Sequence, residues 1–194
     1  MRRLEPKILA SARHRRMPWK NGGGETVEVA VFPEDSDLAD FGWRVSMATV
    51  ASDGPFSLFP GIDRTLALLS GQGMELEIEG TGWHLLMPEC TPLAFPADVP
   101  TSARLTGGAI TDLNVMTRRG LFRHTLRRIR PGSGSKLDTA HDWTLVLAFA
   151  DLEIVAAGTL FRLAPLDVLL MEGRREAAID RPGGDAYLIG IDRL

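Results

Sequence analysis

The sequence predicts an all-β protein. Three observations carry this. Short runs of four to nine residues alternate in polarity or are wholly apolar, glycine and proline punctuate nearly every gap between them, and no segment keeps a helical period beyond Ser36–Phe41. Many short strands at close spacing without intervening helices describe a sandwich or barrel.

In chain order, the elements follow from local composition. Lys7–Ala12 reads as a short strand or turn, and Arg13-His14-Arg15-Arg16 as a solvated basic face. Met17-Pro18-Trp19-Lys20-Asn21-Gly22-Gly23-Gly24 is a glycine-rich turn; no Gly-Lys-Ser/Thr closes it and no helix pattern follows, so it is not a phosphate loop. Thr26–Val31 alternates with period two, a half-buried strand. Pro33–Asp40 is an acidic loop. In Gly42–Val50, Trp43, Val45 and Met47 share one face, and Arg44 and Ser46 share the other.

Strands are then expected at Arg64–Leu69, Met74–Ile78, Trp83–Met87 and Ile110–Thr117, with turns at Ser70–Gly73 and Glu79–Gly82. Pro88–Pro100 is proline-rich, which suits edge or loop geometry. Beyond Leu121 the predicted strands are Phe122–Ile129, Asp142–Ala150, Leu152–Ala156, Leu160–Leu163, Val168–Met171, Ala177–Ile179 and Ala186–Ile191. Arg130–Lys136 is a Pro-Gly-Ser-Gly linker.

Composition narrows the function classes. The chain has 194 residues, 44% of them hydrophobic, ample for a core in one large or two small domains. A formal charge of −3 gives no basic surface for nucleic acid. The single cysteine, Cys90, excludes an internal disulfide framework and fits a reducing compartment. The N-terminus lacks an apolar signal region and no run approaches membrane-spanning length, so a cytoplasmic protein is expected. Lysine occurs only at positions 7, 20 and 136; the other basic residues are arginines, which suit bidentate carboxylate binding.

Four motifs in order, Met17–Gly24, Trp43-Arg44-Val45-Ser46, Phe59-Pro60-Gly61-Ile62-Asp63-Arg64 and Asp112-Leu113-Asn114-Val115-Met116, together resemble the HutD/Ves family of cupins. The resemblance covers nearly the whole chain and is strongest over residues 17–120. It implies cupin-type double-stranded β-helix barrels in a bicupin arrangement. Residues 1–120 would be the N-terminal barrel carrying the pocket, and 121–194 a smaller structural half. It also implies a link to bacterial histidine utilisation, with no settled enzymatic activity.

Cupins hold a metal through histidines and a glutamate. Counted back from Gly71, the matching positions carry Ser57, Phe59 and Arg64, and through the Pro96-Ala97-Asp98 turn the last falls at Thr101. None is a good metal ligand, and His14, His84, His124 and His141 fit no zinc spacing, so neither metal nor other cofactor is expected.

An arginine at the glutamate position reverses the sign of the cavity. The expected ligand site is therefore Arg44, Ser46, Arg64 and Asn114, with Lys20, Asn21, Gly23 and Trp19 at its mouth. The ligand would be a small anionic metabolite, formiminoglutamate or urocanate on the family's association. The opposing reading puts Arg44 and Arg64 outside the barrel in salt bridges. Trp19 and Trp43 would wall the pocket or simply be core, and Asp98 and Asp112 read better as turn caps than as an acid–base pair. No catalytic residue is assigned. A metal-independent isomerase or hydrolase, and a stress-related protein with a filled barrel, stay open as alternatives. Neither nucleic acid nor membrane is expected as a partner; a homodimer is compatible.

Overall fold

The computed structural model describes residues 5–20 and 22–194. The strands, in order, are β1 (Lys7–Leu9), β2 (Arg15–Pro18), β3 (Gly24–Phe32), β4 (Trp43–Val50), β5 (Gly54–Pro55), β6 (Ile62–Ser70), β7 (Met74–Ile78), β8 (Gly82–Leu86), β9 (Leu93–Pro96), β10 (Thr101–Leu105) and β11 (Ile110–Arg118). They continue as β12 (Phe122–Ile129), β13 (Trp143–Ala148), β14 (Leu152–Ala156), β15 (Thr159–Leu163), β16 (Val168–Glu172), β17 (Ala177–Arg181) and β18 (Ala186–Arg193). A 3-10 turn at Ser11–Arg13 is the one helical element among the described residues. Ser36–Phe41 forms turns, not a helix: Asp37 and Asp40 carboxylates take the Ala39 and Asp37 backbone N–H groups, offering the chain a local alternative to helical bonding. No helix is long and apolar enough to cross a membrane.

The strands divide into two packing units, Arg15–Arg123 and a second made of the described residues up to His14 with His124–Leu194. Strand β1 lies with the C-terminal strands, because Lys7–Leu9 pairs antiparallel with β16. A three-residue strand carries too little pattern to reveal a partner some 160 residues away.

In the first unit a six-stranded sheet, ordered β2-β3-β4-β11-β6-β9, faces a four-stranded sheet ordered β5-β10-β7-β8. Both contribute to one apolar core: Leu66, Leu68 and Ile110 from the first sheet, and Met74, Leu76 and Ile78 from the second. This is the jelly-roll arrangement of antiparallel strands. Strands β9 and β10 fall in and just beyond the segment read as loop. Pro96 ends β9 at the sheet edge, where a missing N–H costs nothing.

In the second unit a five-stranded sheet, β1-β16-β13-β18-β12, and a three-stranded sheet, β15-β14-β17, enclose a core that includes Val146, Ile154, Leu163, Met171, Ile179 and Leu188.

Two hairpins show why glycine is needed. At the β6–β7 turn Gly71 has φ of 102°, and a side chain there would strike Ile110. At the β2–β3 turn a Cβ on Gly24 would sit 2.2 Å from the Thr49 carbonyl and 3.0 Å from the Trp19 ring. Glycine is what lets β4 and the Trp19 indole close on this strand.

Candidate functional site

The first barrel encloses a cavity of about 730 Å³ lined from both sheets and from the β2–β3 turn. The period-two alternation of three adjacent strands aims its polar lining inward. Register sets the rows. Arg44 on β4 and Arg64 on β6 both stand opposite Met116 of β11; Ser46 and Leu66 stand opposite Asn114; Ala48 and Leu68 stand opposite Asp112. The face of β4 carrying Arg44 and Ser46 is therefore the cavity face. Trp43, on the other face, stacks on Phe32 at 5.9 Å and lines no part of the cavity.

Arg44 is inside the barrel yet ion-paired, so each of the two sequence readings holds for part of it. Its Nε donates to Glu28 Oε2 at 2.7 Å, and one Nη donates to Ser46 Oγ at 3.3 Å. Glu28 reaches it because it stands opposite Ser46, just before a register shift between Glu28 and Ala30. Such a bulge re-aims a side chain. Ser46, having accepted from Arg44, keeps its own O–H to donate.

Arg64 is different. It is 4% exposed, and its Nε has no hydrogen-bond partner. Its guanidinium carbon lies 5.1, 5.5 and 5.7 Å from the ring centroids of Phe56, Phe59 and Phe95. Three ring faces hold the cation in place by quadrupole attraction and dispersion. They leave its N–H edge unused. Burial lowers its pKa to about 10, with the Asp112 charge opposing that shift and Arg44 adding to it. Arg64 is thus still cationic at neutral pH.

Asp112 corrects a sequence reading. It caps no turn: it is a wholly buried residue of β11 that lines the cavity. Asn114 Nδ2 donates to its Oδ1 at 2.5 Å, and its Oδ2 has no partner. Burial raises its pKa to about 7, against the opposing pull of Arg64, Asn114 and the Ala48 backbone N–H. Asp98 does cap a turn, accepting from Gly61 N–H at 3.1 Å. It is also bound by Arg119 at 3.0 and 3.1 Å, which with the Gly61 bond holds its carboxyl below the usual range.

At the mouth, Trp19 and Lys20 line the cavity, Trp19 fixed by an Nε1–H bond to Thr26 Oγ1 at 2.8 Å. Gly23 does not line it; its carbonyl accepts the Ala51 N–H at 2.9 Å, a structural role in the hairpin. Asn21 lies outside the described residues. Sequence reasoning missed Glu28, Asp112 and the Phe56–Phe59–Phe95 box. A signal for Asp112 was present: it is two residues from Asn114 on the same strand, hence on the same face.

The donor set does not suit the metal of a typical cupin. Ser57, Phe59 and Arg64 line the cavity where ligands would be needed, and a buried guanidinium repels a divalent cation. Thr101 donates its hydroxyl to the Val99 carbonyl at 3.1 Å. No histidine lines the cavity, and no cluster of three ligating side chains occurs among the described residues.

Comparison with known proteins agrees with this fold. Residues 11–188 match the HutD family model. A protein from the hutC 3′ region of Pseudomonas putida, itself uncharacterised, is 35% identical over 173 residues, 88% of each chain. A conserved protein of unknown function from Pseudomonas aeruginosa has a crystal structure that superposes with a TM-score of 0.89 at 31% identity, over 97% of this chain and 100% of that one. HutD from Pseudomonas fluorescens, solved in a formate condition, gives 0.83 at 29% identity, over 98% and 100%. A cupin 2 conserved barrel domain protein from Leptotrichia buccalis, 11% identical over 100% and 98% of the two chains, shares the fold at a TM-score of 0.60. The hut-region relative and the family match link the chain to histidine utilisation. It belongs to the HutD family, on a cupin-fold barrel whose interior carries arginine instead of a metal-binding set.

Proposed function

We propose that this protein binds a small carboxylate-bearing metabolite in the first barrel, in an accessory or regulatory role in histidine utilisation. The carrying observation is Arg64: a buried guanidinium, cationic at neutral pH, with an unpartnered N–H edge inside a cavity large enough for a metabolite. Arg64 takes the carboxylate as a fork. Ser46 and Asn114 supply polar contacts, Arg44 holds Ser46 in position through its own pairing to Glu28, and Trp19 and Lys20 cover the mouth. The family association favours an intermediate of histidine breakdown such as formiminoglutamate or urocanate.

The test is calorimetric titration of chelator-treated protein with formiminoglutamate, urocanate, histidine, glutamate and formate. Saturable binding of one acid, lost in Arg64→Gln, is the expected result. No binding by any of them would overturn the reading.

One observation favours a second reading. A cavity carboxyl with a pKa of about 7 is the kind of group a metal-independent isomerase or hydrolase would use as acid or base. Incubation of the bound acid with the protein, followed by proton NMR, separates the two: a binder returns the acid unchanged.

A further inference from the structure

The charges lining the first barrel pair off unevenly. Arg44 is answered by Glu28 at 2.7 Å, which leaves that cation less available to a ligand. Arg64 and Asp112 are both buried, Arg64 Nε and Asp112 Oδ2 both lack a hydrogen-bond partner, and above about pH 7, with Asp112 ionised, the two groups together carry no net charge. A bare anion would satisfy Arg64 but add a second negative charge beside an unsatisfied carboxylate.

Strand geometry keeps the pair apart. Arg64 stands opposite Met116, and Asp112 lies four residues along β11 from there, about 13 Å of strand at 3.3 Å per residue. The arginine side chain covers part of that span, yet the two groups make no ion pair. A ligand engages both only if it carries an anionic group for Arg64 and a donor for Asp112.

We propose that the cavity selects a ligand bearing both a carboxylate and an N–H donor, the carboxylate on Arg64 Nε and the N–H on Asp112 Oδ2. This rests on the carboxylate-binding reading above and names its ligand class: amino-acid-like or azole acids, as against bare organic anions. Asn114 fixes the Asp112 carboxyl through Oδ1, leaving Oδ2 as the acceptor. A donor lacking in the ligand leaves that buried acceptor unsatisfied, and a buried polar atom left without its partner is the strongest source of discrimination a small pocket has.

Matched acids test this in the full chain by calorimetry at pH 8: urocanate against trans-cinnamate, and L-glutamate against glutarate. Each pair keeps length and carboxylate and differs in the N–H group. At least one N–H-bearing member is expected to bind at least tenfold more tightly than its match. That preference is expected to fall below threefold in Asp112→Asn, or in Asp112→Ser if the first variant does not fold. Equal affinity within both pairs, with binding still lost in Arg64→Gln, overturns donor recognition and leaves the carboxylate site standing. A preference that survives in a folded variant lacking the carboxylate overturns it as well. No saturable binding by any of the four overturns donor recognition, and the carboxylate reading falls with it if formiminoglutamate, histidine and formate fail to bind as well.

Discussion

Arg64 and Asp112 share one wall of the first barrel without bonding to each other. Each is buried, and each leaves one polar atom unpartnered. An unliganded barrel built for stability would have paired or replaced them, since buried charges are costly unless satisfied.

Arg64→Met should separate binding from folding. The variant removes a desolvated cation and keeps an apolar body among Phe56, Phe59 and Phe95. Carboxylate affinity is expected to fall at least a hundredfold, while the ligand-free melting temperature stays level or rises. Calorimetry and a thermal melt on one preparation check both. A large drop in melting temperature would make Arg64 a structural residue.

Asp112 sets a pH dependence of stability whose sign follows from its raised pKa. The folded protein holds this proton up to about pH 7, whereas the unfolded chain releases it near 3.8. The contribution to stability is therefore full below about pH 4, declines as pH rises toward 7, and stays lost above that. The span is on the order of 4 kcal/mol at most. Asp112→Asn should stabilise the ligand-free protein more at pH 8 than at pH 5, measured by urea unfolding at each pH.

Ligand affinity should carry the opposite slope. A ligand N–H on Oδ2 favours the ionised carboxyl, so affinity for an acid bearing such a group rises from pH 5.5 and levels off above about 7. Arg64 from β6, Arg44 with Glu28 from β4 and β3, and Lys20 and Asp53 at the rim are the other charged groups around the cavity, and no histidine lines it. A bare anion such as glutarate should bind more weakly as pH rises through the same interval. Titrations at five pH values distinguish the two slopes.

Glu28→Gln tests the division of labour between the arginines. Losing the carboxylate leaves Arg44 buried and unpaired, with a cost of about 3 kcal/mol in unfolding free energy. It also frees a second cation, so bare anions should bind more tightly than to the wild type. A tighter glutarate complex in a less stable protein is the expected pairing of results.

Gly24→Ala should damage fold and mouth together. The added Cβ would meet the Thr49 backbone carbonyl at 2.2 Å, and backbone cannot swing aside as a side-chain tip can. A loss of more than about 2 kcal/mol, within the range for overpacked sites, should accompany displacement of Trp19, visible as a shift in tryptophan emission.

What the sequence by itself determined is the all-β class, the shared face of Arg44 and Ser46 and most of the strands, but not the short β2, β5, β9 and β10. Alternation with period two and glycine–proline punctuation are local signals, readable without knowing which strand pairs with which. Even Asp112 belonged to the face of Asn114 by that same rule. Tertiary structure alone decided the rest. Pairing across β4, β11 and β6 brings Arg44, Asp112 and Arg64 to one cavity from positions 44, 112 and 64, and the shift at Glu28 answers one arginine and not the other. The Phe56–Phe59–Phe95 box likewise exists only once β9 lies beside β6. Which charges are left unsatisfied depends on partners distant in sequence and on the removal of water. Both are properties of the closed barrel, absent from any single stretch of chain.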